Sequence, residues 1–158
     1  LLSAKPSLND VLQLVLEGIY RGLGMSRAIF ALQSPDRTKV AGKAALGRDA
    51  EKLAARFSFA LDGRPGEIIN VLFTKASPFW LHGAAPEGVR IDRLSAITGH
   101  TDGMLAPIVA GGRVIGFFYA DRNPANPPDE ETWQGLLHFA QQASLSFEHV
   151  VGRGAAMK

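Results

Sequence analysis

The sequence predicts one α+β domain built on a mostly antiparallel sheet. Helical patterns at both ends enclose a middle part rich in strand patterns, and some of these strands follow each other as hairpins. Strands joined by short turns pair antiparallel, whereas parallel strands need long crossover connections. The chain of 158 residues fits a single domain with a sizeable core. We assign residues 6–151 to that core, and residues 1–5 and 152–158 to tails or linkers.

Composition excludes several classes of function. Cysteine is absent, which removes disulfides, thiolate nucleophiles and sulfur-bound zinc, and suits a cytoplasmic location. The 17 basic and 15 acidic residues leave a net charge of only +2, so we predict no nucleic-acid partner. No apolar run approaches the roughly 20 residues that span a bilayer, so we predict no membrane contact. Because the chain begins with Leu1, we expect a segment of a longer protein whose other domains are partners.

The first helix is predicted over residues 7–21. Ser7 and Asp10 have the spacing of a capping box, in which a hydroxyl and a carboxylate satisfy free backbone N–H groups. The apolar residues of this helix recur at helical spacing and form one face. Leu14 falls outside that face, which indicates a second contact.

Three strands and two short helices are predicted next. Residues 27–33 form an apolar strand, and residues 38–45 form a more polar strand that we expect at the sheet edge. Residues 57–61 alternate between apolar and small or polar side chains, which is typical of a half-buried strand. The remaining predicted elements are helices at 48–56 and 67–75 and an extended piece at 78–81.

Residues 82–102 have no regular pattern, and a hairpin follows them. Irregular segments of this length are uncommon in compact domains and are often functional. The strands predicted at 104–110 and 113–120 are separated by Gly111 and Gly112, a pair that favours a tight hairpin turn.

The last helix, predicted over residues 129–151, has an unusually wide apolar stripe. Phe139, Ala143 and Val150 widen the stripe on one side. A helix that packs on one sheet alone rarely needs so wide a face. We therefore predict a homodimer that uses these three residues together with Leu14.

Three stretches resemble a GAF domain: MLAPIVAGG, RVIGFFYADR and the helix EETWQGLLHFAQQASLSFE. The likeness covers about residues 6–151. The stretch LNDVLQLVLEGIYRGLGMSRAIFALQSPDRT is also similar to GAF units that follow HD-related output domains (HDOD) in bacterial signalling proteins. The resemblance implies a sheet of five or six antiparallel strands with the terminal helices on one face, often pairing two subunits. Shorter helices and loops would cover the other face and can enclose a small ligand.

The resemblance implies a sensory or regulatory module and leaves the cofactor unassigned. Family members bind cyclic nucleotides, bilins, haem or small metabolites. Without cysteine, covalent bilin attachment is excluded, and the NKxnFxxxDE pattern of cyclic-nucleotide binders is not found. The ligand is therefore a small molecule of unassigned identity.

Candidate ligand-binding residues lie in and around the irregular segment. His82 and His100 bracket it, and in a GAF domain it would lie over the pocket. Trp80 precedes it with an indole N–H that needs a partner when buried. The candidates are Trp80, His82, His100, Thr101 and the sheet aromatics Phe59 and Tyr119, although most aromatics of this sequence are expected to be core.

No catalytic or metal site is predicted. The sequence His100-Thr101-Asp102 has suggestive composition, but the members of a catalytic triad come from separate elements. Neither HxxxH nor HExxH occurs. The leading hypothesis is a non-catalytic sensory module that binds a small molecule or a protein partner. The alternative is a purely structural dimerisation module whose pocket is filled by its own side chains.

Overall fold

The computed structural model describes residues 7–156, with side chains over residues 7–149. It contains a six-stranded antiparallel sheet in the order β3-β2-β1-β6-β5-β4. The elements are α1 (Leu8–Glu17, continued by one π-helical turn over Gly18–Gly22), β1 (Arg27–Gln33), β2 (Lys39–Gly47), α2 (Ala50–Arg56), β3 (Ser58–Ala60), α3 (Ile68–Lys75), β4 (Phe79–Trp80), α4 (Asp92–Thr98), β5 (Met104–Ala110), β6 (Arg113–Asp121) and α5 (Glu130–Ala156). The predicted fold class is confirmed.

Local signals produce the ends of these elements. Both members of the Ser7–Asp10 capping box are present at the start of α1. Gly111 and Gly112 join β5 to β6 with φ of 62° and 76°. Positive φ at both central residues defines the tight turn that matches the twist of a hairpin, and only glycine adopts it without strain.

The terminal helices cover one face of the sheet. Phe139 of α5 lies on Gly18, where an added Cβ would stand 2.6 Å from the ring Cε1 atom, and Leu23 lies against Gly135. Because ascending residues on the first helix meet descending residues on α5, the two helices run antiparallel. They bury a shared core with the sheet, which includes Leu16 and Phe118.

The opposite face carries a densely packed aromatic core under α2, α3 and α4. Phe57, Phe59, Phe117 and Tyr119 are each at most 2% exposed. Phe57 and Phe59 meet edge to face with ring centroids 5.0 Å apart. This geometry is the favourable one for aromatic pairs, and the protein's own side chains fill the space between the sheet and its cover.

Two sequence-based expectations are wrong. The segment predicted to be irregular contains α4, a helix of 7 residues whose N-cap Ile91 makes no side-chain capping bond. A helix this short and uncapped leaves little pattern in the sequence. The strand predicted at the edge, β2, is covered by β3 over residues 39–41, and the true edge was hidden because β3 has only 3 residues.

The β1–β2 turn offers a direct test of local electrostatics. Asp36 accepts hydrogen bonds from the hydroxyls of Ser34 (2.7 Å) and Thr38 (2.8 Å). These bonds favour the carboxylate and lower the pKa of Asp36 from 3.8 to about 2. We expect Ser34→Ala to raise this pKa towards 3.8, as followed by NMR titration of the side-chain carboxyl.

The lowered pKa of Asp36 also determines how the stability of the fold changes with pH. Asp36 stabilises the fold above pH 4, and its contribution is lost as the pH falls towards 2. Ser58→Ala changes an exposed serine of β3 and is the control. An Asp36 titration that stays at about 2 in Ser34→Ala would contradict this account.

Candidate functional site

An open cleft of about 810 Å³ lies at the end of the sheet where β1 begins and β6 ends. The sheet register explains its position. Arg27 at the start of β1 lies between Gly47 at the end of β2 and Asp121 at the end of β6. The loop after α4 forms the opposite wall, with His100, Thr101 and Asp102 facing the cleft. Polar and charged side chains from four separate parts of the chain therefore meet at one place.

An ion pair between partly buried Arg27 and buried Asp121 forms the floor of the cleft. Arg27 donates to Asp121 through two nitrogens, Nε to Oδ1 at 3.1 Å and Nη2 to Oδ2 at 2.6 Å. The Tyr119 hydroxyl donates a further hydrogen bond of 2.6 Å to Oδ2. The side chains of Arg27 and Asp121 are only 15% and 1% exposed. Two-point pairing and a third donor satisfy the carboxylate where water does not reach it.

The same contacts set the protonation states on the floor. Burial acts to lower the pKa of Arg27, but the hydrogen bond and the charge of Asp121 outweigh it, so this pKa is raised. Burial and then the negative charge of Asp121 raise the pKa of Tyr119 well above its usual value. At neutral pH the guanidinium is charged and the phenol keeps its proton, so both remain donors to Asp121.

The wall formed by the α4 loop is tied to this floor. Arg27 Nη2 also donates to the carbonyl of Thr98 at 2.6 Å. The Thr98 hydroxyl bonds the backbone of His100, and His100 Nδ1 lies 3.4 Å from Asp102 Oδ1. A change in the loop at residues 98–102 would therefore reach the centre of the sheet through Arg27.

Comparison with known proteins identifies the family. Residues 5–148 match the family model described as a GAF domain. The chain belongs to the GAF domain family. It is a sensory and regulatory domain of the kind found in bacterial signalling proteins. A search of curated proteins finds no match.

Solved structures agree with this family and fold. Residues 122–287 of a methyl-accepting chemotaxis protein are 26% identical, with a TM-score of 0.72 over 89% of this chain and 88% of that one. A GAF domain/HD domain protein from Geobacter sulfurreducens is 15% identical, with a TM-score of 0.71 over 93% and 96%. The second GAF domain of DevS from Mycobacterium smegmatis is 16% identical, with a TM-score of 0.71 over 96% and 100%. The last two likenesses show the fold alone.

The structure brings only part of the predicted ligand site together. His100 and Thr101 line the cleft. Phe59 and Tyr119 belong to the packed core of the GAF domain, and Tyr119 reaches the cleft floor only through its hydroxyl. Trp80 and His82 lie beside a separate recess of about 270 Å³.

Trp80 has a different setting from the one expected. Its ring stacks on Trp133 of α5 with centroids 5.6 Å apart, and the His82 ring lies 4.3 Å from it. These contacts place Trp80 with the core under the terminal helices. Its partners are therefore aromatic rings of the same chain.

Sequence reasoning missed Arg27 and Asp121 as a pair. Arg122, the next residue after Asp121, donates to the backbone carbonyls of Leu23 and Gly24, while Asp121 pairs with a residue 94 positions away. Opposite charges at the two ends of apolar strands were a signal, but the pairing of β1 with β6 is needed to use it.

The four residues predicted for a dimer interface differ in exposure and in the contacts that they make. Leu14 is 72% exposed, whereas Ala143 is fully buried in the core of its own chain. Phe139 packs on Gly18 of the same chain. The side chain of Val150 lies outside the described residues. The wide stripe of α5 is thus used by α1 and the sheet together, because the two helices lie side by side.

Among the helices described over residues 7–156, none is both long and apolar enough to cross a membrane. Over the described side chains, no three histidine or acidic residues converge in a way that could hold a metal ion.

Proposed function

We propose that this GAF domain is a non-catalytic, cytoplasmic sensory module that binds a small molecule in the cleft and dimerises through α1 and α5. The proposal of a dimer rests on one observation. Among the described residues, the exposed large hydrophobic side chains are Leu14 on α1 and Leu145 on α5, at 72% and 62% exposure. Exposed leucines on neighbouring helices favour a partner surface.

The packing of the helix pair supports this surface. Gly18 lies against Phe139 and Leu23 against Gly135. Extending this antiparallel alignment by one turn brings Leu14 to about the level of Leu145 along the pair. Two such helices from each subunit would form a four-helix bundle, in which apolar residues of adjacent helices interlock.

The cleft is the better place for a ligand than the space under α3 and α4. Phe57, Phe59, Phe117 and Tyr119 already fill that space. The cleft instead offers polar groups from the sheet end and from the α4 loop. A ligand that prefers one arrangement of this loop would shift the populations of the module, and the helix pair would pass that shift to the attached domains.

We expect the double variant Leu14→Glu/Leu145→Glu to be a folded monomer. Two carboxylates in an apolar interface would lose solvation without gaining partners. Sedimentation equilibrium measures the subunit number, and circular dichroism checks the fold. Thr74→Glu, which adds charge at an exposed position of α3 on the opposite face of the sheet, should remain dimeric. A double variant as dimeric as the parent protein would refute the helix-bundle interface.

The alternative is a purely structural dimerisation module without a ligand. The packed aromatic face favours it, because the contacting rings of Phe57, Phe59 and Phe117 occupy the space between the sheet and its cover. Native mass spectrometry of the purified protein separates the two functions. A dimer that carries additional small-molecule mass supports the sensor, and a dimer of bare polypeptide mass supports the structural module.

The attached output domain is a separate hypothesis. The similarity of the first 60 residues to GAF units of HDOD proteins suggests an HDOD output domain. The Geobacter GAF/HD protein is only 15% identical, so it supports the fold and not the output domain. Sequencing the gene beyond this segment tests the hypothesis, since an HDOD domain would be encoded next to it.

A further inference from the structure

We propose that the cleft binds a small organic anion and that Arg48 selects it. This inference rests on the sensory function proposed above and specifies the chemical class of the ligand. It follows from the hydrogen-bonding groups that the protein leaves unused in the cleft, taken together with the size of the cleft.

The acidic groups of the cleft are already engaged. Asp121 accepts two bonds from Arg27 and one from Tyr119. Asp102 lies within 3.4 Å of the His100 ring. Asp49, which follows Arg48 in sequence, lines a different surface depression beside α2. Asp121 is thus saturated by internal donors, and Asp102 keeps one oxygen, Oδ2, without a described hydrogen bond.

The basic groups, in contrast, have donors to spare. Arg27 uses Nε and Nη2 in the contacts described, which leaves the two N–H groups of Nη1. Arg48 is exposed, and among the side chains over residues 7–149 it has neither a hydrogen-bond partner nor an ion-pair partner. A guanidinium with all five donors unused suits a carboxylate or phosphate, which it can bind through two bonds.

Neutral side chains add to this surplus of donors. Ser26 Oγ accepts from the backbone N–H of Asn123, which leaves its hydroxyl proton for a ligand. Asn123 accepts through Oδ1 from Ala125, which leaves its amide NH₂. Thr101 contributes a further hydroxyl to the wall. The cleft thus matches a ligand rich in acceptor oxygens.

The register of the sheet explains why two arginines can share this site. Arg27 pairs with Gly47 across β1 and β2, so Arg48 follows directly at the same end of the sheet. Arg27 is paired with Asp121, and Asp102 lies beside His100 on the opposite wall, so Arg48 is the cleft arginine without a described ion-pair partner. The volume of about 810 Å³ is far larger than an inorganic ion and falls in the range of small-molecule sites.

The test uses three probes on the intact chain: citrate, glycerol 3-phosphate and uncharged glycerol. Amide chemical shifts at Gly99, Thr101 and Asn123 are followed by NMR as each probe is added. We expect citrate or glycerol 3-phosphate to shift these amides and glycerol to leave them unchanged. The two anions distinguish a carboxylate ligand from a phosphate ligand.

The variants Arg48→Gln and Arg37→Gln remove the same charge at different places. Arg37 is exposed on the β1–β2 turn, away from the cleft walls. We expect Arg48→Gln to weaken the anion that binds by about tenfold or more and Arg37→Gln to leave the affinity within twofold. Arg48→Lys should lose part of the affinity, because an ammonium cannot form the planar two-point contact. Thermal melting checks that each variant is folded.

Different outcomes overturn different statements. Equal weakening by Arg48→Gln and Arg37→Gln, or no amide shift with either anion, overturns the anion inference. If glycerol alone shifts the cleft amides, the anion inference fails while the cleft remains a small-molecule site. If the anion inference fails and native mass spectrometry finds a dimer of bare polypeptide mass, the proposed sensory function fails as well.

Discussion

We expect Asp121→Ala to lower the free energy of unfolding by about 3 kcal/mol, the lower end of the usual cost of breaking a buried ion pair from one side, because Asp121 is buried whereas Arg27 borders the open cleft. Arg27 would keep its charge with its side chain only 15% exposed. The Tyr119 hydroxyl would lose its acceptor inside the core. Urea denaturation followed by tryptophan fluorescence measures the change.

An exposed ion pair of the same chain is the matched control. Glu17 and Arg21 lie one helical turn apart, with side chains 44% and 72% exposed. Glu17→Ala should cost no more than about 0.5 kcal/mol, since such pairs are solvated and flexible. Asp121→Asn should fall between the two, because the amide oxygen still accepts from one donor. A cost of Asp121→Ala similar to that of Glu17→Ala would mean that the floor of the cleft is not held by this pair.

Gly116→Ala is expected to be at least as damaging, with a loss above about 3 kcal/mol or no soluble folded protein. Gly116 lies in β6, opposite Leu32 of β1 and Ile108 of β5. A Cβ atom there would overlap the backbone carbonyl oxygen of Ala31. Backbone on both sides is held by the sheet, so β6 would have to separate from β1. The same denaturation experiment measures the effect.

Gly22→Ala separates this clash from a general cost of losing glycine. An added Cβ at Gly22 would have Phe139 Cζ as its nearest neighbour, at 3.9 Å, which is ordinary contact. Alanine also has the higher helix propensity, so we expect a change between zero and a gain of about 1 kcal/mol. If Gly116→Ala were as mild as Gly22→Ala, the close approach of β6 to β1 would be incorrect.

The cleft, which lies where β1 begins and β6 ends, was only partly predictable from the sequence. His100 and Thr101 could be proposed because they lie in a segment that looked irregular. Arg27 and Arg48 were not among the residues predicted to bind a ligand. Their role depends on β1 lying between β2 and β6, and therefore on the strand order.

The amino-acid sequence by itself determined the features that depend on neighbouring residues. The capping box of Ser7 and Asp10, the hairpin turn of Gly111 and Gly112, and the apolar strand β1 each follow from interactions within a few positions. Such interactions act in any surroundings, so their patterns can be recognised in the chain. The α+β class follows from their order, and the family is shown by the match over residues 5–148.

Only the tertiary structure decided which distant groups meet. It joined Arg27 to Asp121, laid Phe139 on Gly18, and packed Phe59 and Tyr119 into one core. Each of these contacts depends on strand order and on helix placement. Those are set by burying two faces of one sheet at once, and the free energy of that burial belongs to the whole domain and not to any local segment.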